Sequence, residues 1–362
     1  MKINYLKKFL FVNIALSLLP TTCALADTVL GVNNVHIGWL APELREKTVG
    51  EMRDAGVASV RVDLIPPYDQ TIDSLEILSR HGISIELVVG LGGGELLNSR
   101  ITKRSGRGQI WSVAGLSQLN VPFFERRFGA IWQEIERRHI HLLAVELGNE
   151  INWAAFNGDL ALTNPGLKPR AGAPGIGALI DPTIYHIGMR NYVQALKSLR
   201  TLRDLGHVNR STLILSAGLA SGSAETAATQ GAEYVDPVET LLLLKALGLD
   251  DIVDGYGLHM YPDLNVTPGR RRITFEKLTS LCGGVGGHPC WLTEWGIFQQ
   301  STECVVNESK TKSVASEVVE LIESARNKIA GSYYFEWSDP TDPYSIWRCG
   351  GLTQVGKTIL QN

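Results

Sequence analysis

The chain has 362 residues, of which 44% are apolar and 20% are charged, a balance that is typical of a folded globular protein and excludes a disordered one. The formal net charge is −3, and it becomes −6 when the first 26 residues, with three lysines and no acid, are left out. Such a chain lacks the positive field that attracts polyanions, so we expect no nucleic-acid partner.

Residues 1–26 have the pattern of a secretory signal peptide. Lys2, Lys7 and Lys8 precede a mostly apolar run over 9–19, and the segment ends in Ala-Leu-Ala, the small-x-small pattern of a cleavage site. The apolar run is about half as long as a membrane-spanning helix needs to be, so we expect no membrane anchor. We predict a secreted or periplasmic protein with a mature chain of 27–362.

Short apolar runs alternate with amphipathic stretches along the mature chain. The apolar runs predict eight strands, over 32–39, 59–64, 83–89, 142–150, 212–217, 253–261, 290–295 and 332–337. The stretches between them predict helices, over 42–55, 71–80, 122–138, 187–205, 237–247, 273–281 and 313–328. Strands that alternate with helices indicate a parallel sheet, and eight such units fit a (β/α)8 TIM barrel of the α/β class. We predict one domain.

Two of the predicted connections are much longer than the others. The loops after the third and fourth strands, over 90–121 and 151–186, each exceed thirty residues. In a barrel, the loops that leave the carboxyl ends of the strands build the active site. We therefore expect the functional site on this face.

Two predicted strands end in a glutamate. The fourth ends in the sequence AVELGNE, which finishes at Glu150, and the seventh contains Glu294 in the sequence CWLTEWG. A charged side chain is costly in a sheet unless it faces a polar cleft. Strands 4 and 7 lie roughly opposite each other in an eight-stranded ring, so the carboxylates would face each other as in a retaining glycosidase, which needs them about 5–5.5 Å apart. The alternative is that each glutamate is only the partner of a basic residue in a salt bridge.

These motifs resemble those of the clan A glycoside hydrolases, (β/α)8 enzymes that include cellulases, mannanases and xylosidases. The resemblance covers essentially all of 28–362. It implies that Glu150 is the acid/base, that the preceding Asn149 binds the sugar 2-hydroxyl, and that Glu294 is the nucleophile. Cleavage would then proceed by double displacement on an O-glycosidic bond, for which the resemblance implies a β-linkage.

The resemblance extends to three further strands. It implies that Arg61 on strand 2 steadies the nucleophile, that His259 and Tyr261 on strand 6 belong to the site, and that Trp337 on strand 8 is a sugar-binding platform. His259 and Tyr261 share one strand face by the two-residue period, so both can reach the cleft, where Tyr261 would donate to Glu294. A hydrogen-bonded core histidine is the alternative for His259.

Tryptophans on the loops and strand ends are further candidates for sugar contact, because sugars pack their apolar faces on aromatic rings. The candidates besides Trp337 are Trp39, Trp111, Trp153, Trp295 and Trp347. Plain packing is the alternative for each of them. Trp132, inside a predicted helix, is assigned to the core.

The loop after the third strand carries a cluster of basic residues. Arg100, Lys103, Arg104 and Arg107 are interleaved with serine and glycine. Beside the cleft of an acidic protein they could select an anionic polysaccharide, although a solvated loop has the same composition. A second cluster, Arg270-Arg271-Arg272, is interpreted as surface charge.

Neither a cofactor nor a metal is expected. The glycine run over 90–94 lacks the third glycine of a dinucleotide fingerprint and the Lys-Ser/Thr pair of a phosphate loop. Only His36 and His259 lie on predicted strands, too few for a histidine-rich metal centre.

Four cysteines remain after the signal peptide, and all of them lie in the last quarter of the chain. Their spacing does not fit a zinc site, and an exported protein favours disulfides. We predict the pairs Cys282–Cys290 and Cys304–Cys349, among three possible connectivities, with free buried thiols as the alternative.

The sequence thus predicts a monomeric retaining glycosidase that acts on a polysaccharide or oligosaccharide. A transglycosylase would use the same two carboxylates and differ only in its products when acceptor sugars are present. A non-catalytic glycan-binding barrel would typically have lost one carboxylate, whereas both Glu150 and Glu294 are present.

Overall fold

Eight parallel strands form the centre of the structure, a computed structural model that describes residues 28–106, 109, 111–162, 175–283, 287–299, 308–338 and 342–360. The strands are β1 Val29–Asn33, β2 Ser59–Asp63, β3 Ser84–Val89, β4 Ala144–Asn149, β5 Leu213–Gly218, β6 Tyr256–Met260, β7 Cys290–Trp295 and β8 Ile329–Tyr334. The predicted signal peptide, Arg107 and Cys304 lie outside the described residues.

The strands close into a barrel. Their hydrogen-bonded order is β5-β4-β3-β2-β1-β8-β7-β6. Parallel bridges from Leu215 to Gly255 and from Leu219 to Leu258 join the two ends of this order. The predicted (β/α)8 fold is confirmed.

Helices connect the strands on the outside of the barrel. They are α1 Pro42–Asp54, α2 Tyr68–Arg80, α3 Val121–Arg137, α4 Pro182–Leu205, α5 Ala224–Thr229, α6 Pro237–Ala246, α7 Pro268–Leu278, α8 Ser309–Ser324 and α9 Gln354–Leu360. Several begin with proline in the first turn, and Asn120, Asp181 and Asp236 cap α3, α4 and α6 by accepting from backbone amides of the first turn. The short helices α5 and α9 were not predicted.

Two strands differ from their predicted limits. β1 ends at Asn33, and the rest of the predicted run over 32–39 turns into a one-turn helix, Ile37–Trp39. β8 runs over Ile329–Tyr334, so Trp337 lies beyond it. In both places buried loop side chains continue the apolar run past the strand, and composition alone does not mark where the ladder stops.

Bulky aromatic side chains fill the amino-terminal half of the barrel. Trp291 packs with Tyr333, and the neighbouring strands carry glycine where these rings approach. A Cβ at Gly31 would lie 2.6 Å from the ring of Tyr333, and one at Gly255 would lie 2.7 Å from the ring of Trp291. These rings close the amino-terminal half of the barrel.

The long connections after β3 and β4 contact each other above that end. Ser117 donates to the Asp159 carboxylate from its backbone amide at 2.7 Å and from its hydroxyl at 2.6 Å. Trp111 donates from Nε1 to the carbonyl of Ala155 at 2.7 Å. These bonds hold the described parts of the two loops together.

One predicted disulfide is present. Cys282 and Cys290 are joined across the connection from α7 to β7. Cys349 is also disulfide-bonded. The described residues include no helix that is long and apolar enough to cross a membrane.

Candidate active site

Glu150 and Glu294 face each other at the carboxyl ends of β4 and β7. One carboxylate oxygen of each, together with a ring nitrogen of His259, lie within 4.8 Å of one another. Glu150 has a φ of +43° and follows Gly148 with a φ of +82°, so the chain turns sharply as it leaves β4. A non-glycine residue in this left-handed region is uncommon, and such strain concentrates at functional sites.

A β-bulge at Thr293 directs Glu294 into the barrel. On β6, Leu258 pairs with Leu292 while the next residue, His259, pairs with Glu294, so β7 carries one extra residue. Thr293 points inward as well, because a Cβ on Gly218 would lie 2.6 Å from its hydroxyl. Without the bulge, strict alternation would turn Glu294 towards the helices.

Arg61 on β2 binds Glu294 from inside the barrel. Its Nη1 donates to Glu294 Oε1 at 2.6 Å and to Asn33 Oδ1 at 2.8 Å. Its Nη2 donates to Glu146 Oε1 and to Asn149 Oδ1, both at 2.9 Å. Burial alone would lower the pKa of Arg61, but Glu146 and Glu294 raise it well above its ordinary value, so the guanidinium stays charged.

Two further carboxyl groups, Glu86 and Glu146, lie beneath the site, and the sequence analysis assigned them no role. Both side chains are fully buried, and Glu86 Oε1 lies 3.6 Å from Arg61 Nε. Burial and the charge of Glu146 raise the pKa of Glu86 well above its ordinary value. Burial also acts on Glu146, but the charge of Arg61 overcomes it and lowers the pKa of Glu146. Glu86 therefore holds a proton more tightly than Glu146 does.

His259 on β6 and Tyr261 just after it contact the carboxylates of Glu150 and Glu294. Tyr261 donates to Glu294 Oε2 at 2.6 Å, and His259 Nδ1 lies 3.0 Å from Glu150 Oε1 and 3.4 Å from Glu294 Oε2. Burial lowers the pKa of His259, but the charge of Glu294 and the hydrogen bond to Glu150 more than compensate, and the pKa is raised. Burial and Glu294 raise the pKa of Tyr261, so its hydroxyl remains a donor.

Two predicted sugar platforms are wrong. Trp295 is 1% exposed and faces the helices, where Nε1 donates to Ser332 at 2.9 Å. Trp337 has no exposed surface, and its ring stacks on Trp347 at 5.0 Å. Because the bulge turns Trp295 outward and the segment after β8 folds over Trp337, a sugar cannot pack on either ring.

Other aromatic rings are available at the mouth. Trp39, in the connection after β1, is 57% exposed and stacks on His36 at 4.8 Å, and Trp111, in the connection after β3, is 46% exposed. Trp153 is half-buried and packs edge-on against Tyr234. The cleft is therefore bordered by two widely exposed indoles.

Phe335 is an aromatic residue that the sequence analysis did not select. It directly follows β8, is half-buried, and contacts the ring of Tyr261 at 6.2 Å and that of Tyr344 at 6.0 Å. Phe335 thus contacts Tyr261, which donates to Glu294, whereas Trp337, for which the platform was predicted, is buried. In the sequence, the only signal for Phe335 is its position directly after the last residue of β8.

Among the residues that the structure describes, Glu150, His259 and Glu294 form one group whose ligand atoms could reach a metal ion. Both oxygens of Glu294 already accept 2.6 Å hydrogen bonds from Arg61 and Tyr261. The donor set is thus better arranged for nucleophilic attack and proton transfer than for a cation held close to a guanidinium.

The basic clusters are partly neutralised. Lys103 Nζ lies 3.6 Å from Glu95 Oε1. Arg271 is buried, binds Glu317 at 2.6 Å and donates to backbone carbonyls, so its role is structural. Arg100 remains exposed.

Comparison with solved structures places this geometry in a known fold. A GH128 (subgroup II) endo-β-1,3-glucanase from Sorangium cellulosum is 14% identical over 92% of this chain and 97% of that one, with a TM-score of 0.51. A family 5 xyloglucanase from Paenibacillus pabuli is 12% identical over 93% and 99%, with a TM-score of 0.55. An endo-1,4-β-mannanase from Rhizomucor miehei is 10% identical over 92% and 93%, with a TM-score of 0.53.

The chain has the fold of the clan A glycoside hydrolases. At these identities the likeness is one of fold. No protein-family model and no curated protein matches the sequence.

Proposed function

We propose that the protein is a secreted retaining glycoside hydrolase that cleaves O-glycosidic bonds, with Glu294 as the nucleophile and Glu150 as the acid/base. The observation that carries the proposal is the different surroundings of two carboxylates whose oxygens approach within 4.8 Å. Glu294 accepts from Arg61 and Tyr261, whereas Glu150 touches only His259 among these groups and is more open to solvent.

In the first step Glu294 attacks the anomeric carbon. The bond from that carbon to the glycosidic oxygen breaks, and the Glu150 proton passes to the departing oxygen. Arg61 and Tyr261 each donate to one oxygen of the Glu294 carboxylate and fix its orientation before the attack. The amide of Asn149, whose Oδ1 accepts from Arg61, keeps its Nδ2 free to donate to the sugar.

In the second step water releases the sugar. Glu150 gave its proton to the departing oxygen in the first step and is now a carboxylate, while the charge of Glu294 is lost in the glycosyl ester. Glu150 then takes a proton from water, the water oxygen bonds to the anomeric carbon, and the ester bond to Glu294 breaks. Attack from opposite faces in the two steps retains the anomeric configuration.

The proposed substrate is a β-linked polysaccharide or oligosaccharide. The endo-β-1,3-glucanase and the endo-1,4-β-mannanase that share the fold act on β-linked glycans. The exposed side chains of Trp39 and Trp111, in the loops after β1 and β3, offer ring faces for more than one sugar.

The test uses the purified mature chain with an aryl glycoside that carries a good leaving group. We expect Glu294→Gln to abolish turnover, while Glu150→Ala retains formation of the glycosyl ester and is rescued by azide as a β-glycosyl azide. Glu276→Gln, an exposed carboxylate on α7, is the control and should match the wild type. Azide rescue of the Glu294 variant instead would exchange the two roles, and an inverted product by proton NMR would refute the retaining mechanism.

A further inference from the structure

Asp63 is a carboxylate at the mouth of the barrel that the proposed mechanism does not use. It is the last residue of β2, two positions after Arg61, so both side chains point to the inside of the barrel. The residue is partly exposed, yet its Oδ1 is buried and has no hydrogen-bond partner among the described residues. A buried carboxylate oxygen without a donor is costly, which suggests that a ligand supplies one.

Within the part of the chain that the structure describes, the cations near Asp63 are engaged elsewhere. Arg61 is held by Glu294 and Glu146, and His259 lies between the two facing carboxylates. Burial raises the pKa of Asp63 to about 7, with Arg61 opposing the shift and Glu294 and Glu146 adding to it. The interior is thus rich in carboxyl groups, and a carboxylated sugar placed here would add like charge.

Trp39 borders the same side of the cleft. Its Nε1 donates to the carbonyl of Pro66, three residues beyond Asp63, at 2.9 Å. The indole is 57% exposed and is held flat by His36, which stacks on it. A sugar that packs one face on this ring keeps its hydroxyl groups free to bond downward into the barrel.

We propose that Asp63 is a specificity-determining residue that accepts a hydrogen bond from a hydroxyl or ammonium group of the sugar held between Trp39 and the catalytic carboxylates. The cleft therefore takes neutral or amino-sugar glycans and rejects uronic acid polymers. This inference rests on the proposed glycosidase function. An anionic glycan is disfavoured because its carboxylates would lie close to the carboxyl groups around Asp63.

The experiment compares the wild type with Asp63→Asn and Asp63→Ala on four substrates: a β-glucan, a mannan, chitosan and a polyuronate. We expect the wild type to cleave at least one of the first three and to leave the polyuronate intact. On the cleaved glycan, each variant should raise KM about 10- to 100-fold, with a smaller change in kcat, because the bond is already made when substrate binds. Asp69→Asn, an exposed carboxylate in the first turn of α2, is the matched control and should leave KM unchanged.

Comparing the KM change on chitosan with that on a neutral glycan shows which sugar group donates to Asp63. A loss that is confined to chitosan and shrinks with added salt identifies an ammonium group, whereas an equal loss on a neutral glycan identifies a hydroxyl. Asp63→Asn removes a charge that burial disfavours, so its melting temperature should not fall, and this checks that the fold is intact. Unchanged KM in both variants of an active wild type, or preferential cleavage of the polyuronate, would overturn the role of Asp63. A wild type that cleaves no glycan or aryl glycoside would instead overturn the proposed function.

Discussion

Arg61 donates a 2.6 Å hydrogen bond to Glu294 while the same guanidinium holds the fully buried Glu146 on its other side. Three nitrogens of one side chain thereby connect the proposed nucleophile to a second carboxylate and to Asn149. A planar fork with several donors can make these bonds at once, whereas an ammonium group cannot. The position of the nucleophile thus depends on a residue that never needs to touch the substrate.

The first prediction concerns Arg61→Lys. The lysine keeps a positive charge but loses the bonds to at least one carboxylate, so Glu294 is less well oriented. We expect kcat/KM to fall about 10²- to 10³-fold, the range for the loss of one preorganised donor in an active site. Initial rates on an aryl glycoside measure this.

Arg138→Lys is the control for that substitution. Arg138 follows α3 and pairs with Asp73 and Glu134 on the helical surface. It should retain wild-type rates, because lysine keeps the positive charge of this half-buried residue and Arg138 lies outside the barrel, away from Glu294. Full activity in the Arg61 variant would contradict the role given to the guanidinium.

The second prediction concerns Tyr261→Phe. This change removes the 2.6 Å bond to Glu294 Oε2 and leaves the ring in place. We expect kcat to fall about 10- to 100-fold, since a hydrogen bond to a charged group contributes about 1.5–3 kcal/mol. Steady-state kinetics on an aryl glycoside test the change.

Tyr256→Phe provides a matched control on the same strand. Tyr256 donates at the same distance, 2.6 Å, to the carboxylate of Asp250 at the other end of β6. Its loss should lower the melting temperature slightly and leave kcat unchanged. Equal kinetic losses in both variants would mean that the tyrosines act through folding rather than through Glu294.

The strand-end positions of this site could be predicted from the sequence, because barrel topology places the ends of β2, β4, β6 and β7 at one mouth whatever their exact limits. Arg61, Asn149, Glu150, Tyr261 and Glu294 meet there as the motifs indicated. Asn149, Glu150 and Tyr261 end or follow an apolar run, and Arg61 and Glu294 are charged residues within one, so each stands out locally in the sequence.

The direction of side chains near a bulge could not be predicted. The extra residue Thr293 changes the alternation of β7, so Glu294 faces inward and Trp295 outward, and a two-residue period applied to the sequence misplaces one of them. The burial of Trp337 depends on Trp347, which packs against it from a later segment. The raised pKa of Glu86 depends on a carboxylate and a guanidinium from two other strands.

The third prediction concerns Gly218→Ala on β5. A Cβ there would collide with Nε2 of His259 and lie 2.6 Å from the hydroxyl of Thr293. His259 must then shift, which disturbs its contacts with Glu150 and Glu294. We expect a loss of about 1–3 kcal/mol in the free energy of unfolding, as for other overpacked cores, together with a lower kcat. Thermal unfolding and aryl glycoside kinetics report both effects.

Gly50→Ala in α1 is the companion variant. A Cβ at Gly50 would meet nothing within 4 Å, and alanine suits a helix better than glycine. This variant should be more stable than the wild type by about 0.4–1 kcal/mol and equally active. Unchanged activity in Gly218→Ala would show that His259 needs no fixed place beside the carboxylates.

The fourth prediction concerns the buried acid Glu86. Its pKa is raised in the folded protein, so between the ordinary value of 4.5 and the folded value the native state binds more protons than the unfolded state. The free energy of unfolding therefore falls as pH rises through this window, by about 1.4 kcal/mol for each unit of pKa difference. The amide introduced by Glu86→Gln keeps the shape of the protonated acid and cannot ionise. We expect the variant to match the wild type near pH 4 and to exceed it by at least about 1.4 kcal/mol near pH 8.

Glu146→Gln should behave in the opposite way. The pKa of Glu146 is lowered by Arg61, so its contribution to stability is present above pH 4.5 and is lost as pH falls through the folded value. Removing its charge leaves part of the buried guanidinium unpaired and should cost about 3–5 kcal/mol near neutral pH. Denaturant unfolding of both variants at several pH values separates the two behaviours. A Glu86 variant that is less stable than the wild type at pH 8 would mean that Glu86 is ionised and paired with Arg61, and that the proton beneath the nucleophile belongs to Glu146.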